Sequence, residues 1–78
     1  MSTLDKLQEI FRDFFDDESL ILKRDTSQDD IDGWDSLAQV NIIVACESDF
    51  SVKFELNDII NLKTVGDIID TIERKLKS

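Results

Sequence analysis

In three stretches of this chain apolar residues return every three or four positions, and no proline interrupts them anywhere. That spacing places the apolar side chains on one face of a helix, so each stretch must bury a stripe against something else. From Thr3 to about Asp16 the apolar positions are Leu4, Leu7, Ile10, Phe11, Phe14 and Phe15, with Ser2 or Thr3 placed to cap the start. A second run begins at Ser36, with Asp35 as N-cap, and extends to about Asp49, where Phe50-Ser51-Val52-Lys53-Phe54 breaks the period. The following Glu55-Leu56-Asn57-Asp58-Ile59-Ile60-Asn61-Leu62 supports only about two turns. Thr64 then caps a last helix with Val65, Ile68, Ile69, Ile72 and Leu76 on one stripe. Arg74, Lys75 and Lys77 fall in its final turns, where the helix dipole favours cations. The expected fold is all-α, a small four-helix bundle with a long loop after the first helix and a short third helix.

The long loop runs from Glu18 to Asp35. Its Leu20-Ile21-Leu22 is too short to show a period, and Lys23 to Gln28 is polar. A connector of this length inside a small domain is uncommon and usually serves function.

At 78 residues the chain reads as one domain, residues 1–78. A domain of this size buries only about 60–65% of its extended-chain surface, which leaves little material for the walls of an enzyme cleft. The formal net charge of −9 disfavours nucleic-acid phosphates and insertion into anionic membranes and favours basic protein partners. The single cysteine, Cys46, has no partner for an internal disulfide, and without histidine there is no plausible zinc set. Cys46 lies on the inward stripe of the second helix and reads as a small core residue. The opening MSTLDKLQEIF is amphipathic and acidic, unlike a signal peptide, and no run reaches transmembrane length, so a cytoplasmic protein is the expectation.

The second helix carries two apolar stripes. At about 100° per residue, Ile42, Ile43, Cys46 and Phe50 form one, while Leu37, Val40 and Val44 form another about 130° away. A small bundle turns only one stripe fully inward, so the second is read as a partner-docking strip beside Ser36, against the alternative of a wide core face.

The aspartates Asp29, Asp30, Asp32 and Asp35 invite a calcium loop. With Gly33 at the turn position of an EF-hand, however, the first ligand falls on Gln28, the twelfth on Gln39, and the apolar eighth position on Asp35. The cluster reads as a solvated acidic loop with at most weak affinity for divalent cations, and no metal site is assigned. Ser36 cannot be a self-activated nucleophile either, because the chain has no histidine to act as its base. It is structural, or another protein acts on it.

The order of a helix, a long loop, Asp35-Ser36-Leu37 opening a second helix, a short third helix and Thr64-Val65 opening a fourth resembles the acyl carrier protein family, from about Thr3 to Leu76. The resemblance implies a carrier, not an enzyme. It implies 4'-phosphopantetheine bound covalently to Ser36, set there by a phosphopantetheinyl transferase that brings its own base and magnesium. Acyl or aminoacyl groups would ride on the arm as thioesters, at the surface or partly tucked between helices. Implied partners are that transferase and acyl-loading, condensing or acyl-transferring enzymes with basic docking patches, met by Asp35, Leu37, Val40, Val44 and Glu47 on a monomer. Gly33 would supply a turn ahead of the helix. Trp34, just ahead of the helix, reads as packing its ring over the loop and helix end, against the alternative of a role beside the arm or a partner. General fatty acid carriers usually have acidic residues where this chain has Ala38 and Asn41, with Glu47 and Asp49 acidic further along; this departure implies a specialised pathway. The alternative is a carrier-like interaction module that never takes the arm.

Overall fold

The computed structural model describes residues 2–77, and three of its helices, those behind Ser2, Asp35 and Thr64, start at a capping side chain. Helix α1 spans Thr3–Phe15 behind Ser2, whose side chain accepts from the Asp5 N–H while Asp5 returns a bond to the Ser2 N–H. Helix α2 spans Ser36–Phe50 behind Asp35, α3 spans Leu56–Ile60 behind Glu55, and α4 spans Val65–Leu76 behind Thr64. Asp16 and Ser51 end α1 and α2 in left-handed conformation. Among the described residues no strand forms; only an isolated antiparallel bridge pairs Ser27 with Thr64. The all-α, four-helix expectation holds, and α1 packs against both α2 and α4.

The core sits where those stripes meet. Leu7 and Phe11 of α1, Ile42, Ile43 and Cys46 of α2, and Val65, Ile68 and Ile72 of α4 are fully buried. Burying one large side chain of this kind contributes about 1.5–3 kcal/mol. Two expected stripe members lie outside this core: Phe14 and Leu76 are exposed. Both occupy the last turns of their helices, α1 and α4. Phe14 instead rests edge-on against Phe15, ring centroids 5.0 Å apart.

The connector between α1 and α2 is stitched down. It contains a 3₁₀ turn, Gln28–Asp30, and sends Leu22 and Trp34 into the core. Its carbonyls satisfy the start of α4: the Val65 N–H donates to Thr26 O and the Gly66 N–H to Arg24 O, both at 2.8 Å. Gly66 is required by this approach, since a Cβ there would lie 2.9 Å from Arg24 O. Arg24 also reaches both carboxylate oxygens of Asp70, at 3.0 and 2.9 Å. The loop is thereby held against α4, and its far end delivers the chain to the first turn of α2.

Candidate functional site

Gly33, Trp34 and Asp35 decide where Ser36 stands. Gly33 adopts φ +87°, a left-handed turn that suits glycine, and Phe15 lies beside it. Trp34 is buried; its ring meets Phe11 edge-on at 5.0 Å, and its indole N–H donates to Gln39 Oε1 at 2.7 Å. The tryptophan expected over the helix end is therefore an anchor driven into the core. Asp35 accepts from the Ala38 N–H at 2.8 Å, as a helix cap should.

Ser36 is exposed at the first position of α2. At the start of α4, carbonyls of the loop and the Thr64 hydroxyl take up the N–H groups of Val65, Gly66 and Asp67. At the start of α2 only the Ala38 N–H is taken by a cap; among the described residues nothing accepts from the N–H groups of Ser36 and Leu37. Two free donors at the positive end of a helix dipole, beside an exposed hydroxyl, favour an anionic group on that oxygen.

Ser36, Gln39 and Val40 share one face of α2, and with Leu56, Ile59, Ile60 and Leu62 they line a cavity of about 470 Å³ between α2 and α3. Gln28 and Lys63 complete its rim. Gln39 itself is buried, 4% exposed, a residue the sequence singles out only as a failed calcium-loop position. Because an indole N–H can only donate, the amide oxygen must face Trp34, and Nε2 is left buried without a partner. An unmet buried N–H costs about 1–3 kcal/mol. The only signal for it in the sequence was a polar residue three positions after Ser36, which is too weak to read alone.

The outer stripe is where its spacing put it: Leu37 is 72% and Val44 57% exposed, and Val40 is exposed beside them. Leu56 and Ile60 of α3 are also exposed, and with Val40 they line the cavity, so α3 widens an apolar surface that periodicity had confined to α2. Ile42, Ile43, Cys46 and Phe50 face inward.

The charged residues divide differently. Asp35 is engaged as a cap, and Glu47 is half-buried with Oε2 accepting from the Phe54 N–H at 2.8 Å. Asp49 is exposed. Asn41 is exposed, its amide donating to Leu37 O at 3.1 Å, whereas Ala38 is 4% exposed and faces the core. Of the two positions read as missing acidic residues, only Asn41 is open to a partner. In the acidic loop, Asp30 receives the Ser27 N–H at 2.9 Å, and among the described residues no group of three or more side chains could hold a metal ion. Burial, with Asp49 and Glu47 adding to it, pushes the Cys46 thiol up to about 12. The chain's one thiol is thus neutral and enclosed, so a thioester here requires a thiol from elsewhere.

The family model described as the phosphopantetheine attachment site matches residues 5–72. Among curated relatives, the acyl carrier protein of Thermotoga maritima is 42% identical over 60 residues, 77% of this chain and 73% of that protein. The acyl carrier protein of Acidothermus cellulolyticus is 48% identical over 44 residues, 56% of this chain and 51% of the relative. The solution structure of the holo acyl carrier protein of Geobacter metallireducens superposes with a TM-score of 0.90 at 49% identity, covering 99% of this chain and 88% of that one. The crystal structure of an acyl carrier protein of Thermotoga maritima, with a TM-score of 0.84 and 22% identity over 95% of this chain and 86% of its own, shares the fold.

Proposed function

This chain belongs to the acyl carrier protein family, and from that membership we propose that Ser36 Oγ is the point where its 4'-phosphopantetheine is attached. The supporting observation is the exposed Ser36 hydroxyl beside two free N–H groups at the start of α2. The residues fit the group: those N–H donors and the helix dipole suit a phosphodiester, and the cavity opening beside Ser36 suits an apolar cargo. When bound, phosphopantetheine supplies a terminal thiol that holds acyl chains as thioesters, the thiol that Cys46 does not provide.

The work of the chain itself is positioning and docking. Trp34 and Asp35 hold the first turn of α2 so that Ser36 is presented outward, and the base that removes its proton comes from the transferase. Leu37, Val40 and Val44 form the docking surface on α2, extended by Leu56 and Ile60 on α3. Around it, the net charge of −9 steers basic enzyme patches toward encounter. Asp35 and Glu47 add charge at its margins while holding backbone N–H groups, so they are set in place rather than free to swing.

The exposed, neutral Asn41 on this surface supports a specialised carrier with a narrow set of enzymes over the general fatty acid carrier. Among the described residues no helix is long and apolar enough to cross a membrane; from family membership we propose that the carrier domain works as a cytoplasmic monomer. Intact mass tests the attachment: incubated with coenzyme A, magnesium and a broad-range phosphopantetheinyl transferase, the protein gains one phosphopantetheinyl group. A chain that remains unmodified removes Ser36 as the attachment point.

A further inference from the structure

We infer that Gln39 selects acyl chains that bear a hydrogen-bond-accepting oxygen, a 3-oxo or 3-hydroxy group, over plain saturated chains. The inference rests on the reading that cargo is tethered at Ser36. The cavity beside Ser36 is walled by Val40, Leu56, Ile59, Ile60 and Leu62, a lining that takes any hydrocarbon chain. Gln28, Ser36, Gln39 and Lys63 are the polar residues of its lining, and of these only Gln39 is buried, with its Nε2 lacking a partner among the described residues. Its orientation is fixed, because Trp34 Nε1 donates to Oε1 at 2.7 Å and that oxygen cannot be exchanged for the nitrogen.

A site with a buried unmet donor discriminates strongly. A saturated chain leaves the N–H unpaired, while a chain with an oxygen at the right depth satisfies it without further loss of solvation. The donor's position fits a tethered ligand, since Gln39 is three residues after Ser36 and on the same helix face. Wherever the chain is made, the enzyme before this carrier in the sequence would leave oxygen on the acyl group instead of fully reducing it.

The test loads isotope-labelled protein from octanoyl- and 3-oxooctanoyl-coenzyme A with a broad-range phosphopantetheinyl transferase, and confirms each load by intact mass. The Gln39 side-chain amide resonance is then followed in the apo, holo, octanoyl and 3-oxooctanoyl forms. We expect a downfield displacement of one Gln39 amide proton in the 3-oxooctanoyl form only. Relative to the free coenzyme A thioesters, the 3-oxooctanoyl group should also be protected from hydroxylamine about 2- to 10-fold more than octanoyl, the range of one neutral hydrogen bond. Gln39→Met should abolish that difference, with the octanoyl and 3-oxooctanoyl forms of the same variant compared with each other. Identical Gln39 resonances in the two acyl forms overturn the inference. A displacement already complete in the holo form assigns the donor to an amide carbonyl of the arm and also overturns it. Failure of the attachment reading is seen separately, as no mass gain before any resonance is compared. Should Gln39→Met not fold, the wild-type resonances decide alone.

Discussion

The indole N–H of Trp34 and the side-chain oxygen of Gln39 are joined at 2.7 Å, a buried bond that ties the loop to α2 one turn beyond Ser36. It couples the position of the exposed hydroxyl to the core, because the same indole ring packs edge-on against Phe11 of α1. Trp34→Phe keeps most of the ring contact and removes the donor, leaving the whole Gln39 amide unmet. A loss of about 1–3 kcal/mol is expected, read as a lower urea midpoint by circular dichroism. An unchanged midpoint would mean that the bond contributes nothing net.

Ser36→Ala should abolish phosphopantetheinylation in the intact-mass assay while the helical circular dichroism stays that of the parent. Alanine is a good helix former, and the Asp35 cap on the Ala38 N–H does not involve the Ser36 side chain. A mass gain that survives this change moves the attachment to another residue.

Ile43 and Val44 are neighbours in sequence about 100° apart around α2, one 1% and the other 57% exposed. Ile43→Asp places a carboxylate in the core and should unfold the domain or come close to it. Val44→Asp should leave the unfolding midpoint within about 0.5 kcal/mol of the parent and weaken capture by a partner enzyme by tenfold or more. Equal destabilisation by the two changes would return Val44 to the core.

Because Ala38 is buried, restoring acidity to the docking surface is best tested at Asn41 alone. The holo Asn41→Glu variant should be elongated faster by generic fatty acid synthase enzymes at low salt, by about 1.4- to 5-fold for one exposed charge pair worth ~0.2–1 kcal/mol, with the gain lost at high salt. A parent already as fast as the variant would argue against a specialised carrier.

Asp58 anchors α3 to α4. The backbone N–H of Glu55 holds its carboxyl below the ordinary value of 3.8, helped by the Lys75 ammonium at 2.9 Å and by Arg74. A lowered carboxylate stabilises the fold above its ordinary value and stops doing so as pH falls through the lowered one. Asp58→Asn should therefore be less stable than the parent at neutral pH, and the gap in thermal midpoint should close below pH 3.8. A gap that stays constant across that window would assign the effect to shape rather than charge.

The helices were legible in the chain because their signals are local. Asp35 and Thr64 cap from the positions read for them, and the two stripes of α2 separate as a rotation of about 100° per residue requires. The motif Asp35-Ser36-Leu37 likewise marked the start of α2 and its exposed serine before any packing was known. Tertiary structure decided what depends on residues far apart. Nothing between Glu18 and Asp35 announced that Arg24 and Thr26 would lend their carbonyls to α4, because those bonds join segments about forty residues apart. Periodicity alone placed Phe14 and Leu76 in the core, and the tertiary packing leaves them exposed. Ala38, a position where an acidic residue was looked for, and Gln39 are both enclosed by packing, and that enclosure turns an ordinary glutamine into a buried donor beside the attachment point. A sequence pattern reports which face a residue occupies, and only the neighbours brought against that face determine whether its polar atoms are met.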